Sequence, residues 1–283
     1  MSDRTYELAY SPCPNDTYIF AALTNGLLPD APAVKVTFED IEELNNDAAS
    51  ARYELTKVSY GAIPGLMDRY RILRAGGALG RGCGPLLVAR PGAPAEIEAY
   101  RDKLIAIPGE QTTAFLLLQL ALGMKPHAIG MRFDNIVAAV ADGHVEAGLV
   151  IHESRFTYEA AGLMCVADMG EWWERATGMP IPLGAILVRH DVPEDEARAV
   201  NDAIRRSLAF ARADEAAIMP FVREHAFEMD DEVMRKHIGL YVNEFSDDLG
   251  KEGIAAVTEL FARARAAKII PEGSQARFVA AED

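Results

Sequence analysis

The chain has 283 residues, 50% of them hydrophobic and 25% charged, with 43 acidic against 28 basic side chains and a formal net charge of −15. That length allows one large domain or two lobes with substantial cores. The acidic balance argues against the basic footprint of sequence-independent nucleic-acid binding and against attraction to anionic membranes, but a single lysine or helix N-terminus can still bind an anion locally.

Residues 1–10 carry no basic start followed by an apolar stretch, so no secretory signal is expected. No apolar run approaches the ~20 residues needed to span a bilayer. Cys13, Cys83 and Cys165 are far apart and odd in number, and no Cys-x-x-Cys or His-rich pair offers zinc spacing. The expectation is a cytoplasmic protein with no metal.

In chain order, 6–10 reads as a strand and Ser11-Pro12-Cys13-Pro14-Asn15 as a turn. A helix follows from about Asp16 to Gly26, with Asn15 or Asp16 as its N-cap. Strands are expected at 34–38, 55–58 and 71–73, with a helix across 41–51. The run 104–107 passes through Pro108-Gly109-Glu110-Gln111 into an apolar helix over 112–122. A short helix at 135–142 precedes an apolar strand at 147–151, and the polar burst His152-Glu153-Ser154-Arg155 follows it directly. After Pro193 the pattern becomes amphipathic helix at 194–213, 216–226, 231–242 and 250–267. The tail beyond Pro271 has little periodicity and is expected to be loosely held.

Alternation of short strands and helices through the first two thirds is the signature of α/β architecture. Gly84–Arg90 echoes Gly184–His190, each an apolar run led by glycine. The two bracket a block of about a hundred residues, the size of a domain. Read as connectors, they divide the chain into a first α/β lobe, 1–88 with 190–283, and a second lobe, 89–189, with a ligand cleft between them. The alternative is two unrelated core strands.

Several segments could line such a cleft. Ser11 and Asn15 sit in a proline-stiffened loop before a helix, which is either a ligand loop or a rigid turn with a cap. Lys57, in Thr56-Lys57-Val58-Ser59, points into a cleft toward a carboxylate or lies along a sheet edge. Thr112 and Thr113 open a helix, so their hydroxyls and the nearby amides make either a carboxylate cradle or an ordinary cap. The glycine-rich 76–84 lacks the Gly-x-Gly-x-x-Gly order and the Walker lysine, which argues against a nucleotide site and leaves a cleft-lining loop or a chain of turns, with Arg81 either touching ligand or, as the safer expectation, in solvent. Cys13 reads as a structural thiol. His152 stands at the carboxyl end of a parallel-type strand, where α/β proteins bind ligands, and can exchange protons near neutral pH; a core histidine is the alternative. Glu153 either orients His152 or pairs with Arg155. His127, His144, His190, His225 and His237 are expected on the surface.

Taken together, the segments SPCPNDTYIF (11–20), LTKVSY (55–60), GGALGRG (76–82), QTTAF (111–115), IHESRFTY (151–158), PLGAIL (182–187) and YVNEFS (241–246) closely resemble the 1,4-dihydroxy-6-naphthoate synthase family of the futalosine route to menaquinone. The resemblance runs from about residue 6 to 265. It implies a fold like the type-II periplasmic binding proteins and conversion of cyclic dehypoxanthine futalosine to 1,4-dihydroxy-6-naphthoate, with release of a three-carbon sugar fragment. It also implies that His152 is the proton acceptor and that Lys57, Val58, Ser59, Thr112 and Thr113 contact an anionic small-molecule substrate. Because the substrate carries its own leaving fragment, no cofactor is implied. The assembly is expected to be a monomer or homodimer. Two other readings of the same fold are a cytoplasmic small-carboxylate binding protein and a chorismate dehydratase.

Overall fold

The computed structural model describes residues 4–227 and 230–281. Two sheets organise them. The first contains β1 (Thr5–Tyr10), β2 (Ala33–Phe38), β3 (Leu55–Ser59), β4 (Tyr70–Ile72), β5 (Ala78–Gly80) and the long β11 (Ile181–Arg189), in the order β2-β1-β3-β11-β4 with β5 also paired to β11. The second contains β6 (Leu86–Ala89), β7 (Ile105–Ile107), β8 (Ala128–Gly130), β9 (Ala147–Val150) and β10 (Met164–Asp168), in the order β10-β6-β9-β7-β8. In each sheet a parallel core is extended by antiparallel strands: β11 runs against β3, β4 and β5, and β6 runs against β9 and β10.

The two glycine-led runs expected as connectors lie in different sheets, β6 in the second and β11 in the first. The chain crosses between sheets after β5 and again between α6 (Met169–Thr177) and β11. Both crossings fall a few residues ahead of the glycine that leads each run.

Helices cover the faces. α1 (Pro14–Thr24) is buried on nearly all sides, packed against α7 (Glu194–Ala213), α8 (Glu215–His225) and α9 (Asp231–Tyr241). Pro14 occupies the first helical position, where its missing N–H costs nothing, so the N-cap is Cys13. The expected caps are therefore misplaced: Asn15 and Asp16 belong to the first turn itself. α2 (Ile41–Ala49) is capped by Asp40, whose carboxylate accepts from Glu42 N at 3.0 Å. α3 (Thr113–Leu122), α4 (Phe133–Ala141) and α5 (Ser154–Thr157) belong to the second sheet's layers, while α10 (Glu244–Asp247) and α11 (Gly250–Ala266) complete the C-terminal part.

One apolar cluster spans both sheets, bringing Val58 and Leu187 together with Phe115, Leu117 and Leu149. A second, with Tyr10, Phe20, Ile186, Ile204 and Leu208, lies under α1 and α7. The tail is held more firmly than its sequence suggests. Phe278 bridges Ile72, Val279 N donates to Ile72 O at 2.9 Å, and Val279 is buried.

Candidate active site

The cleft lies between the sheets and has a cavity volume of about 80 Å³. Its lining includes Ser11, Asn15, Asp16, Lys57, Ser59, Thr112, Thr113, Ile151, His152, Gly184 and Tyr241.

One wall is built on β3 and α1. Because side chains alternate along a strand, Lys57 and Ser59 share a face while Val58 points the other way. The structure accordingly places Lys57 and Ser59 on the cleft and the Val58 side chain in the apolar core. Opposite Lys57 in the ladder sits Ile186, and its neighbour Gly184 leaves room for the lysine stem: a Cβ there would lie 3.1 Å from Lys57 Cε. The Lys57 ammonium pairs with Asp16, and both side chains are almost wholly buried. Ser11 Oγ donates to Asp16 Oδ2 at 2.9 Å and Asn15 Nδ2 donates to Asp16 Oδ1 at 2.8 Å. Asp16 is thus the acceptor hub of this wall, a role the sequence reading did not assign. Asn45, buried on α2, accepts from Ser59 N at 2.8 Å and donates to Ser59 Oγ at 3.2 Å, fixing the serine in turn.

A second wall is the start of α3. Thr112 is its N-cap: its hydroxyl accepts from Phe115 N at 3.3 Å and donates to Gly109 O at 2.8 Å. Thr113 Oγ donates to Leu183 O at 2.6 Å and accepts from Gly61 N at 3.1 Å, which fastens the helix to the first sheet. Gly61 must lack a side chain, since a Cβ there would sit 2.7 Å from Gln111 O. Both hydroxyls are committed to structure, leaving the first-turn amides at the positive end of the helix dipole as the anion-directed groups. Glu42 adds a further link across the cleft, accepting from Gln111 N at 3.1 Å.

The third wall carries His152. β9 ends at Val150, one residue earlier than expected, and His152 adopts a left-handed conformation with φ of 53°. That region is uncommon for a non-glycine residue and is found at sites where the surrounding structure over-determines the backbone. His152 Nδ1 lies 3.5 Å from Cys13 Sγ, and the ring meets Phe133 edge-on with centroids 4.9 Å apart. Burial, reinforced by the Lys57 charge, pushes the imidazole down to about 3, so it is uncharged at neutral pH. Burial also drives the Cys13 thiol well up, keeping it protonated.

Behind His152 stands His237, expected on the surface but fully buried on α9. The apolar stripe of α9, Met234 and Tyr241, turns it inward. Its ring centroid is 6.2 Å from that of His152 and 4.7 Å from that of Tyr241. Neither of its ring nitrogens has a hydrogen-bond partner among the described residues. Burial, then the neighbouring His152 and Lys57, hold it well below the ordinary histidine range. His127, His144 and His190 are exposed as expected, whereas His225 is half-buried against Phe38. Arg155 is taken up by Asp168 at 2.7 Å and by the carbonyls of Gly82 and Gly84, and Arg81 reaches Glu252 at 2.9 Å on the surface. Among the described residues, Cys13, His152 and Glu153 form the one group with metal-ligand chemistry.

Residues 6–266 match the sequence profile of a family described as menaquinone biosynthesis. The chain is 49% identical over 276 residues to a 1,4-dihydroxy-6-naphtoate synthase of Streptomyces coelicolor, covering 96% of each. It is 48% identical over 273 residues to the enzyme of the same name from Thermus thermophilus, covering 96% of this chain and 98% of that one. A crystal structure of an Archaeoglobus fulgidus protein, 35% identical, superposes with a TM-score of 0.88 over 95% of this chain and all of the other. An alkanesulfonate-binding protein from Xanthomonas axonopodis, 13% identical, superposes with a TM-score of 0.74 over 96% of both chains, which establishes the two-lobed α/β fold of periplasmic binding proteins. With coverage this complete and identity this high, the chain belongs to the menaquinone-biosynthesis family.

Proposed function

We infer that the protein is a carbon–carbon lyase of the cytoplasm that converts cyclic dehypoxanthine futalosine to 1,4-dihydroxy-6-naphthoate and a three-carbon sugar fragment. The observation that carries this reading is an uncharged, strained His152 lining a cleft that a helix N-terminus also lines. An aromatising carbon–carbon cleavage needs a base for the sugar and an anion site for the ring carboxylate, and His152 and the start of α3, which line one cleft, support that reading.

His152 removes the proton that starts a retro-aldol-type cleavage, with the tautomer that donates Nδ1–H to the Cys13 sulfur leaving Nε2 able to accept it. General-base help of this kind is worth about 10²–10⁴-fold. The substrate carboxylate rests on the first-turn amides of α3 at Thr113 and Ala114, and its charge opposes the burial and the lesser Lys57 field that depress His152. Lys57 is already paired with Asp16, and in this reading it orients polar atoms of the ligand. Ser11, Asn15 and Ser59 sit in the same polar wall.

A cavity of about 80 Å³ is far below the roughly 300–1,000 Å³ of drug-sized ligand sites. The substrate therefore enters an opened cleft, and the Glu42–Gln111 and Thr113–Leu183 contacts break and re-form around it. In this proposal the lobes divide at the crossings after β5 and before β11, just ahead of the connectors expected at 84–90 and 184–190. Incubating the purified protein with the substrate and following naphthoate by absorbance tests the reading. Tight binding without naphthoate would make the protein a binder instead.

A further inference from the structure

Cys13, His152 and Glu153 bring a thiol sulfur, an imidazole nitrogen and a carboxylate oxygen within 4.8 Å of one another. The three donors arrive from two directions: Cys13 caps α1, while His152 and Glu153 form the turn after β9. Cys13 and Glu153 are 1% and 5% exposed, and His152 keeps an open side on the cleft. This is unlike an exposed acidic cluster, where carboxylates gather without consequence. Sulfur, nitrogen and oxygen together suit a borderline-soft divalent ion and disfavour magnesium or calcium, which take oxygen alone.

The spacing agrees with that chemistry. Zinc holds sulfur at about 2.3 Å and imidazole nitrogen at about 2.0–2.1 Å, so tetrahedral sulfur and nitrogen ligands stand about 3.5 Å apart. Cys13 Sγ and His152 Nδ1 are 3.5 Å apart as they stand. The Glu153 carboxylate has only to close by about an ångström to reach tetrahedral spacing. One thiolate and one carboxylate neutralise the two charges of the ion, which lets it occupy a buried position.

We propose that Cys13, His152 and Glu153 form a zinc site with an open fourth position, and that filling it reversibly switches the enzyme off. Binding forms a sulfur–zinc bond and releases the thiol proton to solvent; no redox step is involved. Zinc takes the lone pair of His152 Nδ1, so the neutral ring carries its one proton on Nε2. An imidazole in that state has no nitrogen left to accept a proton from substrate. The inhibition rests on the reading of His152 as base, whereas the metal binding does not.

The test is a titration of the full-length protein with zinc chloride against a chromophoric zinc indicator, with turnover measured in parallel. The expected result is one tight equivalent, at least tenfold weaker binding in Cys13→Ala and Glu153→Gln, and unchanged binding in Cys165→Ser, which removes the exposed thiol. Cys13→Ser, with a harder ligand of similar size, backs up the alanine variant should that fail to fold. Turnover falls in proportion to zinc bound, and EDTA restores it. Binding that is absent, or that survives in both Cys13→Ala and Glu153→Gln, overturns the site. One tight equivalent without loss of turnover overturns the switch and leaves the base assignment to be judged by the His152 variants without metal.

Discussion

Two walls of one cleft obey opposite rules. On the Lys57 wall the polar side chains are tied to one another: Asp16 receives Ser11, Asn15 and Lys57, and Asn45 pins Ser59. On the His152 wall the backbone is strained, His152 has a weak sulfur neighbour, and both ring nitrogens of His237 lack partners among the described residues. A saturated network holds its geometry and resists change in charge. A wall with fewer bonds has more freedom to rearrange around a ligand. On the proposed function the first wall positions the substrate and the second carries the chemistry.

The largest stability effect is expected where the saturated wall is broken. Lys57→Met leaves the buried Asp16 carboxylate without its counter-charge, and losing one member of a buried pair costs about 3–5 kcal/mol. Urea unfolding measures it, and the double variant Lys57→Met with Asp16→Asn should recover part of the loss. A smaller loss for the single variant would mean that the wall is not saturated in the way described.

The chemical wall makes its own contribution to pH dependence. His152 and His237 both sit below their unfolded values, His152 at about 3. Below about pH 6.5 the unfolded chain gains protons on these rings before the folded chain does, so stability falls as pH falls. Each ring contributes a slope of up to ~1.4 kcal/mol per pH unit. His237→Phe removes one of the two and should flatten the stability profile between pH 6 and pH 4; an unchanged slope would contradict the burial of His237.

Smallest is the α3 start. Thr112→Val deletes a helix cap worth about 1 kcal/mol and should raise KM more than it lowers kcat, since the amides it organises bind rather than react. A fall in kcat alone would place Thr112 in the chemistry.

Much of this arrangement was legible in the residues. The helix at 194–213 and the strand before His152 follow from periodicity, and Lys57, Ser59, Thr112, Thr113, Ser11 and Asn15 do meet around one cleft. Four things were hidden for physical reasons. Asp16 looked like a cap because capping and burial favour the same residue type, and only Pro14 at the first helical position moves it inward. His237 is flanked by Arg235 and Lys236, which suggest solvent, yet its spacing from Met234 and Tyr241 puts it on the buried stripe. The donors Cys13 and His152 stand 139 residues apart, so no local spacing rule could pair them. β5 lies within the glycine-rich 76–84, which shows no strand periodicity of its own, and β11 supplies the pairing that makes a strand of it.

The central claim, that His152 takes the first proton, is tested by turnover of His152→Ala on purified substrate with binding measured separately by calorimetry. A fall in kcat of about 10²–10⁴-fold with substrate affinity largely kept is the expected result. Near-normal kcat in the alanine variant would contradict it.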